Sequence, residues 1–366
     1  MSDRLMIAGG GTGGHIYPAI AIARGWLARE EERDVVFVGT PYGLESRIVP
    51  AAGFRLEMVR VGGLKGKTAG QTLLAIARLP LGLVDAWRLL SRWRPSAVLG
   101  VGGYASGPVL LVAALRGVPT LIHEANAFPG LTNRILRRFV KRIAVGFPKA
   151  IERFGGKGEM TGNPIRTEFF EAASRRRNAA AGRTRLLLFG GSQGSKILNE
   201  TMIGALGHLA PLRERLEIVH QTGPAHHDRV SAAYASGAFR DARVVPYLDE
   251  MADEMAAADL VISRAGAMTV GELAAVGRAA ILVPFAAAAD AHQESNARAL
   301  EAGGGAVVIT ERELNPERLA RTIADLAGDR PRLEAMAAAQ RRMGNRDATD
   351  RIVNIIDDIR RNHLRK

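Results

Sequence analysis

One unit occurs twice in this chain and limits what it can fold into: a short apolar strand, a glycine-rich loop and a helix, in that order. In the first copy Leu5-Met6-Ile7-Ala8 reads as the strand and Gly9-Gly10-Gly11-Thr12-Gly13-Gly14-His15 as the loop. Pro18 suits the first turn of a helix, and Ile16, Ile20, Ala23 and Leu27 give that helix one apolar face. In the second copy Leu186-Leu187-Leu188-Phe189 runs into Gly190-Gly191-Ser192-Gln193-Gly194-Ser195, and Lys196 opens the helix. Such a unit leaves unpaired backbone N–H groups at a helix N-terminus, which favours an anion, most often a phosphate. Glycine serves there because it lets the backbone approach a ligand and take positive φ without a Cβ clash. His15 would set an imidazole beside whatever the first loop holds.

Two common readings of the first loop fail. Gly9, Gly11 and Gly14 satisfy G-x-G-x-x-G, but a dinucleotide site also wants an acidic residue ending the second strand. That strand, Val35-Val36-Phe37-Val38, ends in Gly39-Thr40-Pro41, without a carboxylate. A P-loop wants Lys after its last glycine, where this chain has His15. A nicotinamide cofactor and ATP hydrolysis are both disfavoured.

Short apolar runs alternate with helical segments on both sides of the middle. We place strands at 5–8, 35–39, 97–101, 120–123 and 142–145, then at 186–189, 216–220, 242–245, 260–263, 280–283 and 306–309. This is the βαβ rhythm of open parallel sheets. A turn at Gly162-Asn163-Pro164 and the basic stretch from Arg175 to Arg185 mark a boundary. The expected domains are residues 1–163 and 164–345. A final helix follows, over about 346–366, with Ile352, Ile355, Ile356 and Ile359 on one face. Two such domains imply a cleft between them. The uncharged stretch Ser96 to Leu115 is about the length of a membrane span, yet Gly100, Gly102, Gly103, Gly107 and Pro108 cut it into strand, turn and helix.

Composition narrows the chemistry. There are no cysteines, so disulfides, thiolate metal sites and cysteine nucleophiles are excluded. No secretory signal precedes the first strand. The net charge of +13 admits nucleic acid, an anionic membrane or phosphorylated substrates, and is also compatible with plain solvation. No aromatic-and-basic stripe or zinc spacing supports nucleic acid, and none is expected as a partner. Between Gly62 and Pro95 a basic glycine loop precedes a segment rich in Leu, with Trp87 and Trp93 among arginines. It reads as a core helix broken at Pro80, or as a patch resting on acidic lipid, and one segment can do both.

Candidate chemistry gathers where strands end. His123, Glu124 and Asn126 follow a strand, at the edge that lines the ligand crevice of an open α/β sheet. In Ser263 to Leu273 a strand ends, Gly266 turns the chain and a helix starts near Ala267, ready for a phosphate. Glu272, about a turn later, suits a ribose diol, or only the helix dipole. The stretch Asp290 to Asn296 offers amide and imidazole groups for sugar hydroxyls, or a polar helix entry capped by Asp290.

The ordered series of motifs resembles the MurG family, the bacterial GlcNAc transferases of peptidoglycan synthesis. It comprises Gly10 to His15, Gly102-Gly103-Tyr104-Ala105-Ser106-Gly107-Pro108, His123-Glu124-Ala125-Asn126, Gly162-Asn163-Pro164-Ile165-Arg166, Gly190 to Gly194, His220-Gln221-Thr222-Gly223 and Arg264 to Glu272. The resemblance implies an α/β GT-B fold, two Rossmann-like doubly wound domains facing each other across a cleft, with the last helix packed back on the first. It implies an inverting transfer of GlcNAc from UDP-GlcNAc to the 4-hydroxyl of lipid I, giving lipid II, with neither metal nor cofactor. By matched position, Ser192 and the backbone of Ala267, Met268 and Thr269, continuing to Val270 and Gly271, would meet the UDP diphosphate. Glu272 would hold the ribose, and Arg166 and the backbone near Leu248 would lie by the uracil. Asn126 and Gln293 would read GlcNAc hydroxyls, and Thr12, Gly13 and Gly14 the sugar-phosphate region. Gly11, Gly102, Gly103 and Tyr104 would receive the lipid diphosphate. His15 is the expected general base, with Glu124 as rival or as orienter of the acceptor. The place implied is the cytoplasmic face of the inner membrane, on an anionic surface beside other wall-synthesis proteins. Two departures stand out: Ala125 where the family usually has Gln, and the plain alanine run 286–289. A UDP-GlcNAc 2-epimerase, a diacylglycerol glycosyltransferase and a non-catalytic nucleotide-sugar sensor are the rival expectations.

Overall fold

The computed structural model describes residues 3–62, 79–175, 182–288 and 291–364. They form two compact units, Met1–Ile165 with Asp347–Lys366, and Arg166–Arg346.

The first unit is built on seven parallel strands: β1 (Asp3–Ala8), β2 (Arg33–Gly39), β3 (Arg55–Met58), β4 (Ala97–Gly100), β5 (Thr120–Glu124), β6 (Arg142–Val145) and β7 (Gly158–Met160). Their order is β3-β2-β1-β4-β5-β6-β7. Leu5 pairs in register with Val35 on one side and Ala97 on the other. Strands covered on both faces need apolar residues throughout, which is why β1 and β4 appear in the sequence as continuous runs rather than alternations. The chain winds outward from β1 to β3, then crosses back to β4, so strand order reverses between β1 and β4. Loops leaving those two strand ends diverge and open a crevice there.

Both faces of this sheet are covered. On one, Trp26, Ile352, Ile356 and Leu99 share a core; on the other, Leu90, Trp93, Leu110 and Ile122 do. The helix Ala348–Leu364 contributes Ile352, Ile355, Ile356 and Ile359 to the first of these cores, next to the helix Gly13–Leu27. An ion pair fastens it: buried Arg33 lies under the Trp26 ring and donates to Asp357 at 2.9 Å.

The second unit has six parallel strands, β8 (Thr184–Phe189), β9 (Leu216–Gln221), β10 (Arg243–Val245), β11 (Leu260–Ser263), β12 (Ala279–Leu282) and β13 (Ala306–Val308), in the order β10-β9-β8-β11-β12-β13. The same reversal falls between β8 and β11. A buried polar chain ties β9 to its covering helices: Tyr234 hydroxyl and Asn199 Oδ1 bracket His220 at 3.1 and 3.0 Å. Burial pushes the His220 imidazole down to about 3, so it stays neutral.

Against the sequence reading, β3 and β7 are additional strands at the two edges of the first sheet. The stretch Ser96 to Leu115 is β4, a glycine turn and the helix Ser106–Leu115. Pro80 is the second described residue of the helix Leu79–Trp93, so the break expected there falls at the edge of the residues outside the described set. The basic loop and apolar residues expected over 63–78 fall outside the described residues, as do Asp290, Ala289 and the arginines at 176 and 177. Among the described residues no helix is long and apolar enough to cross a membrane.

Candidate active site

In the first unit three loops meet at the carboxyl ends of β1, β4 and β5. The β1 loop turns through Gly10 and Gly11, at φ of 151° and 91°, which only glycine adopts without strain. It brings His15 to the start of its helix. The imidazole Nδ1 lies 3.0 Å from the Gly10 carbonyl. A carbonyl only accepts, so this bond puts the proton on Nδ1 and leaves the lone pair on Nε2. Nε2 faces the β4 loop, where a side chain on Gly102 would stand 2.9 Å from it. Gly103 is as tightly placed, since a Cβ there would meet the Gly10 carbonyl. Gly102 and Gly103 thus allow contact between loops, and Tyr104 beside them is exposed.

The β5 end is rigid. Glu124 is 3% exposed, and both its oxygens are occupied. One accepts from Asn126 N–H and Nδ2 at 3.0 and 3.2 Å; the other accepts from Gly130 N–H and Asn133 Nδ2, each at 2.9 Å. A carboxylate so engaged holds its loop, which suits the orienting role expected for Glu124 as an alternative to that of rival base. The same bonds turn the Asn126 amide back onto Glu124. Behind it, burial and then the nearby His15 push buried His123 down to about 4.

Gly11, expected in the loop that receives the lipid diphosphate, has its N–H engaged within the protein, donating to Glu45 at 2.7 Å. Glu45 is 1% exposed and went unremarked in the sequence, where it sits in the short helix Glu45–Ala51 with no glycine-loop context of its own. Thr12, Gly13 and Gly14 remain at the helix start, with Thr12 exposed.

In the second unit a pocket of about 760 Å³ lies at the β8/β11 reversal. Gly190, Gly191 and Gly194 form one wall, and Gly266, Thr269 and Gln293 another. Two helices begin at it, Lys196–Leu209 and Ala267–Val276, so their first-turn N–H groups and dipoles bear on its contents. Ser195, which caps the first of these helices, lines the pocket with its buried Oγ unpartnered in the protein. Gln293 accepts from Phe285 N–H at 3.0 Å through its Oε1, so its NH2 is the end presented to a ligand. Arg264 spans the mouth, paired with Glu311 at 2.6 Å and set over the Phe285 ring. Ser195, Lys196 and Glu311 were missed in the sequence; Ser195 could have been found as the cap that follows a glycine loop.

The remaining expected residues of this unit do not line the pocket themselves. Ser192 is exposed on the β8 loop. Ala267 and Val270 bury their side chains in the core, leaving backbone to a ligand, and Met268 and Gly271 lie between them. Leu248 is likewise buried. Glu272 and Arg166 pair with each other at 3.5 Å, and Arg166 also meets Glu168 at 2.7 Å. Burial pushes the Glu272 carboxyl up to about 7 despite Arg166.

Comparison with known proteins agrees with this architecture. Residues 5–145 match the glycosyltransferase family 28 N-terminal domain, and residues 185–352 the glycosyltransferase family 28 C-terminal domain. A relative from Anaeromyxobacter sp. (strain K), named UDP-N-acetylglucosamine--N-acetylmuramyl-(pentapeptide) pyrophosphoryl-undecaprenol N-acetylglucosamine transferase, is 48% identical over 96% of this chain and 92% of its own. One of the same name from Myxococcus xanthus is 43% identical over 97% and 93%. The crystal structure of MurG from Acinetobacter baumannii superposes with a TM-score of 0.81 at 32% identity, covering 97% of this chain and 99% of that one. A UDP-N-acetylglucosamine 2-epimerase structure from Listeria monocytogenes, at 15% identity and TM-score 0.67, shares the fold alone. With both halves matched and this identity running through nearly its whole length, the chain belongs to glycosyltransferase family 28, in its MurG group, and has that family's GT-B fold.

Proposed function

We propose that this chain transfers GlcNAc from UDP-GlcNAc to the 4-hydroxyl of the MurNAc-pentapeptide of lipid I, forming lipid II with inversion at the anomeric carbon. The observation that carries this reading is the identity of 43% to 48%, over nearly the full length, to transferases whose names state this donor and acceptor. The two sets of loops support a division of labour. The pocket at β8/β11 suits UDP-GlcNAc, with helix N-termini for the diphosphate, Ser195 and Gln293 as hydrogen-bonding groups, and Glu272 with Arg166 for the nucleoside.

In the reaction the acceptor oxygen attacks C1 of GlcNAc as the bond from C1 to UDP breaks. The acceptor proton passes to His15 Nε2, and the charge gathering on UDP is met by backbone N–H groups already in place. Glu124 keeps the β5 loop in shape beside that base. The test is UDP release by the purified protein with UDP-GlcNAc and a short-chain lipid I analogue. Acceptor-dependent release with a disaccharide product is expected. Donor binding without acceptor-dependent UDP release, with UDP-ManNAc formed from the donor, would instead make the chain an epimerase.

The acceptor is a lipid, and the helix Leu79–Trp93 supports a surface contact with the membrane. Leu81, Val84 and Trp87 are exposed on it beside Arg88 and Arg92, and Arg116 stacks on Trp87. Apolar side chains ringed by arginine suit the interface of an anionic leaflet. This patch supports a peripheral position on the inner face of the cell membrane, with other wall-synthesis proteins as expected neighbours.

A further inference from the structure

We infer that Glu45 is a positioning residue for His15, acting through the single peptide unit that joins Gly10 to Gly11. This rests on the proposal that His15 is the general base. The N–H of that peptide belongs to Gly11 and donates to Glu45 Oε2 at 2.7 Å; its carbonyl belongs to Gly10 and accepts from His15 Nδ1 at 3.0 Å. A buried carboxylate, one amide and an imidazole thus form one hydrogen-bonded line. The other carboxylate oxygen is fixed by Thr40, through its N–H at 3.0 Å and its hydroxyl at 2.8 Å. The surrounding glycines serve this carboxylate: a Cβ on Gly10, Gly39 or Gly43 would collide with the Glu45 side chain. Three glycines, one in the β1 loop, one ending β2 and one in the loop after it, leave room for one acid.

The physics is that of a carboxylate behind a catalytic histidine, with a peptide inserted between them. Negative charge at the N–H end polarises the amide and strengthens its carbonyl as an acceptor. That holds the proton on Nδ1, keeps the Nε2 lone pair aimed past Gly102, and steadies the imidazolium once the acceptor proton has arrived. Glu45 is suited to the part because it stays ionised. Burial pushes its carboxyl up, but the bonds from Gly11 and Thr40 outweigh this and leave it below the ordinary range.

The test uses the full-length protein and its Glu45→Gln, His15→Ala and doubly substituted forms, assayed for acceptor-dependent UDP release. Glu45→Gln should lower kcat about 10- to 100-fold, the size seen when a supporting hydrogen-bond partner is lost, with KM for UDP-GlcNAc within about twofold. In the His15→Ala background Glu45→Gln should change the residual rate little, because its route to the reaction is gone. Equal loss in both backgrounds would assign Glu45 a purely structural role and overturn the proposal. Nitrogen-15 NMR of the histidine rings gives a readout that needs no variant at position 45. His15, identified by its absence in His15→Ala, should be protonated on Nδ1 in the wild type, and the Nε2-protonated form would overturn the link. Near wild-type turnover in His15→Ala would remove His15 as the base, while the His15 tautomer in Glu45→Gln, compared with the wild type, still decides whether Glu45 sets it, an unchanged Nδ1 proton in Glu45→Gln overturning the link.

Discussion

Replacing His15 by alanine should lower kcat by about 10²- to 10⁴-fold, the usual yield of a general base, and leave the affinity for UDP-GlcNAc unchanged in calorimetry. The pocket proposed for the donor lies in the other unit, so the two effects separate. Glu272 makes a different prediction. Ribose hydroxyls donate to a carboxylate, so the ionised acid binds the donor. With a carboxyl raised to about 7, facing Arg166 and Glu168, most of the protein carries a proton on Glu272 at pH 6 that donor binding must expel. Affinity for UDP-GlcNAc should therefore fall about tenfold from pH 8 to pH 6. Glu272→Gln should bind more weakly but at the same strength across that window. A wild-type affinity that is flat between the two pH values would show that Glu272 does not meet the donor as a carboxylate.

At the scale of elements, Glu124 is a joint that gathers four donors of its loop. Glu124→Ala strips four hydrogen bonds from a buried loop and leaves donors such as Asn133 Nδ2 without acceptors. It should destabilise the first unit by about 3 kcal/mol in urea unfolding. The helix Leu79–Trp93 carries the membrane prediction. Trp87→Ser should cut sedimentation with acidic vesicles several-fold and spare UDP-GlcNAc binding, and binding that is equal on neutral vesicles would remove the charge argument. Some elements were legible in the sequence and others were not, for stated reasons. Strands β1 and β8 carry buried apolar runs that lead directly into glycine, and β11 one that reaches glycine three residues on, so their position follows from local sequence. The edge strands β3 and β7 are short and half-exposed: Arg55 and Glu57 interrupt one, and Gly158 and Glu159 the other. Nothing local distinguishes them from loop. Glu45 was illegible for another reason. Its partner Gly11 lies 34 positions away in the chain, and only β2 pairing beside β1 brings the two together.

At the scale of the whole molecule, each unit repeats one plan, a parallel sheet whose order reverses beside a glycine loop. The units differ in how the chain supplies them. Arg166–Arg346 is one continuous stretch, whereas the first unit takes the helix Ala348–Leu364 from beyond it. Ile352 and Ile356 are fully buried in that helix, and Ile356→Ala should cost about 3 kcal/mol of stability. Deleting residues 348–364 should expose the Trp26 core of the first unit, read as a shift in tryptophan fluorescence. The order of synthesis then matters. Translation delivers the glycine loop with His15 early, yet the sheet face that the helix Gly13–Leu27 covers in part stays incomplete until the entire second unit has followed from the ribosome. The half encoded second can finish folding first, and a nascent chain interrupted before residue 348 would display a well-formed donor pocket attached to an unfinished partner.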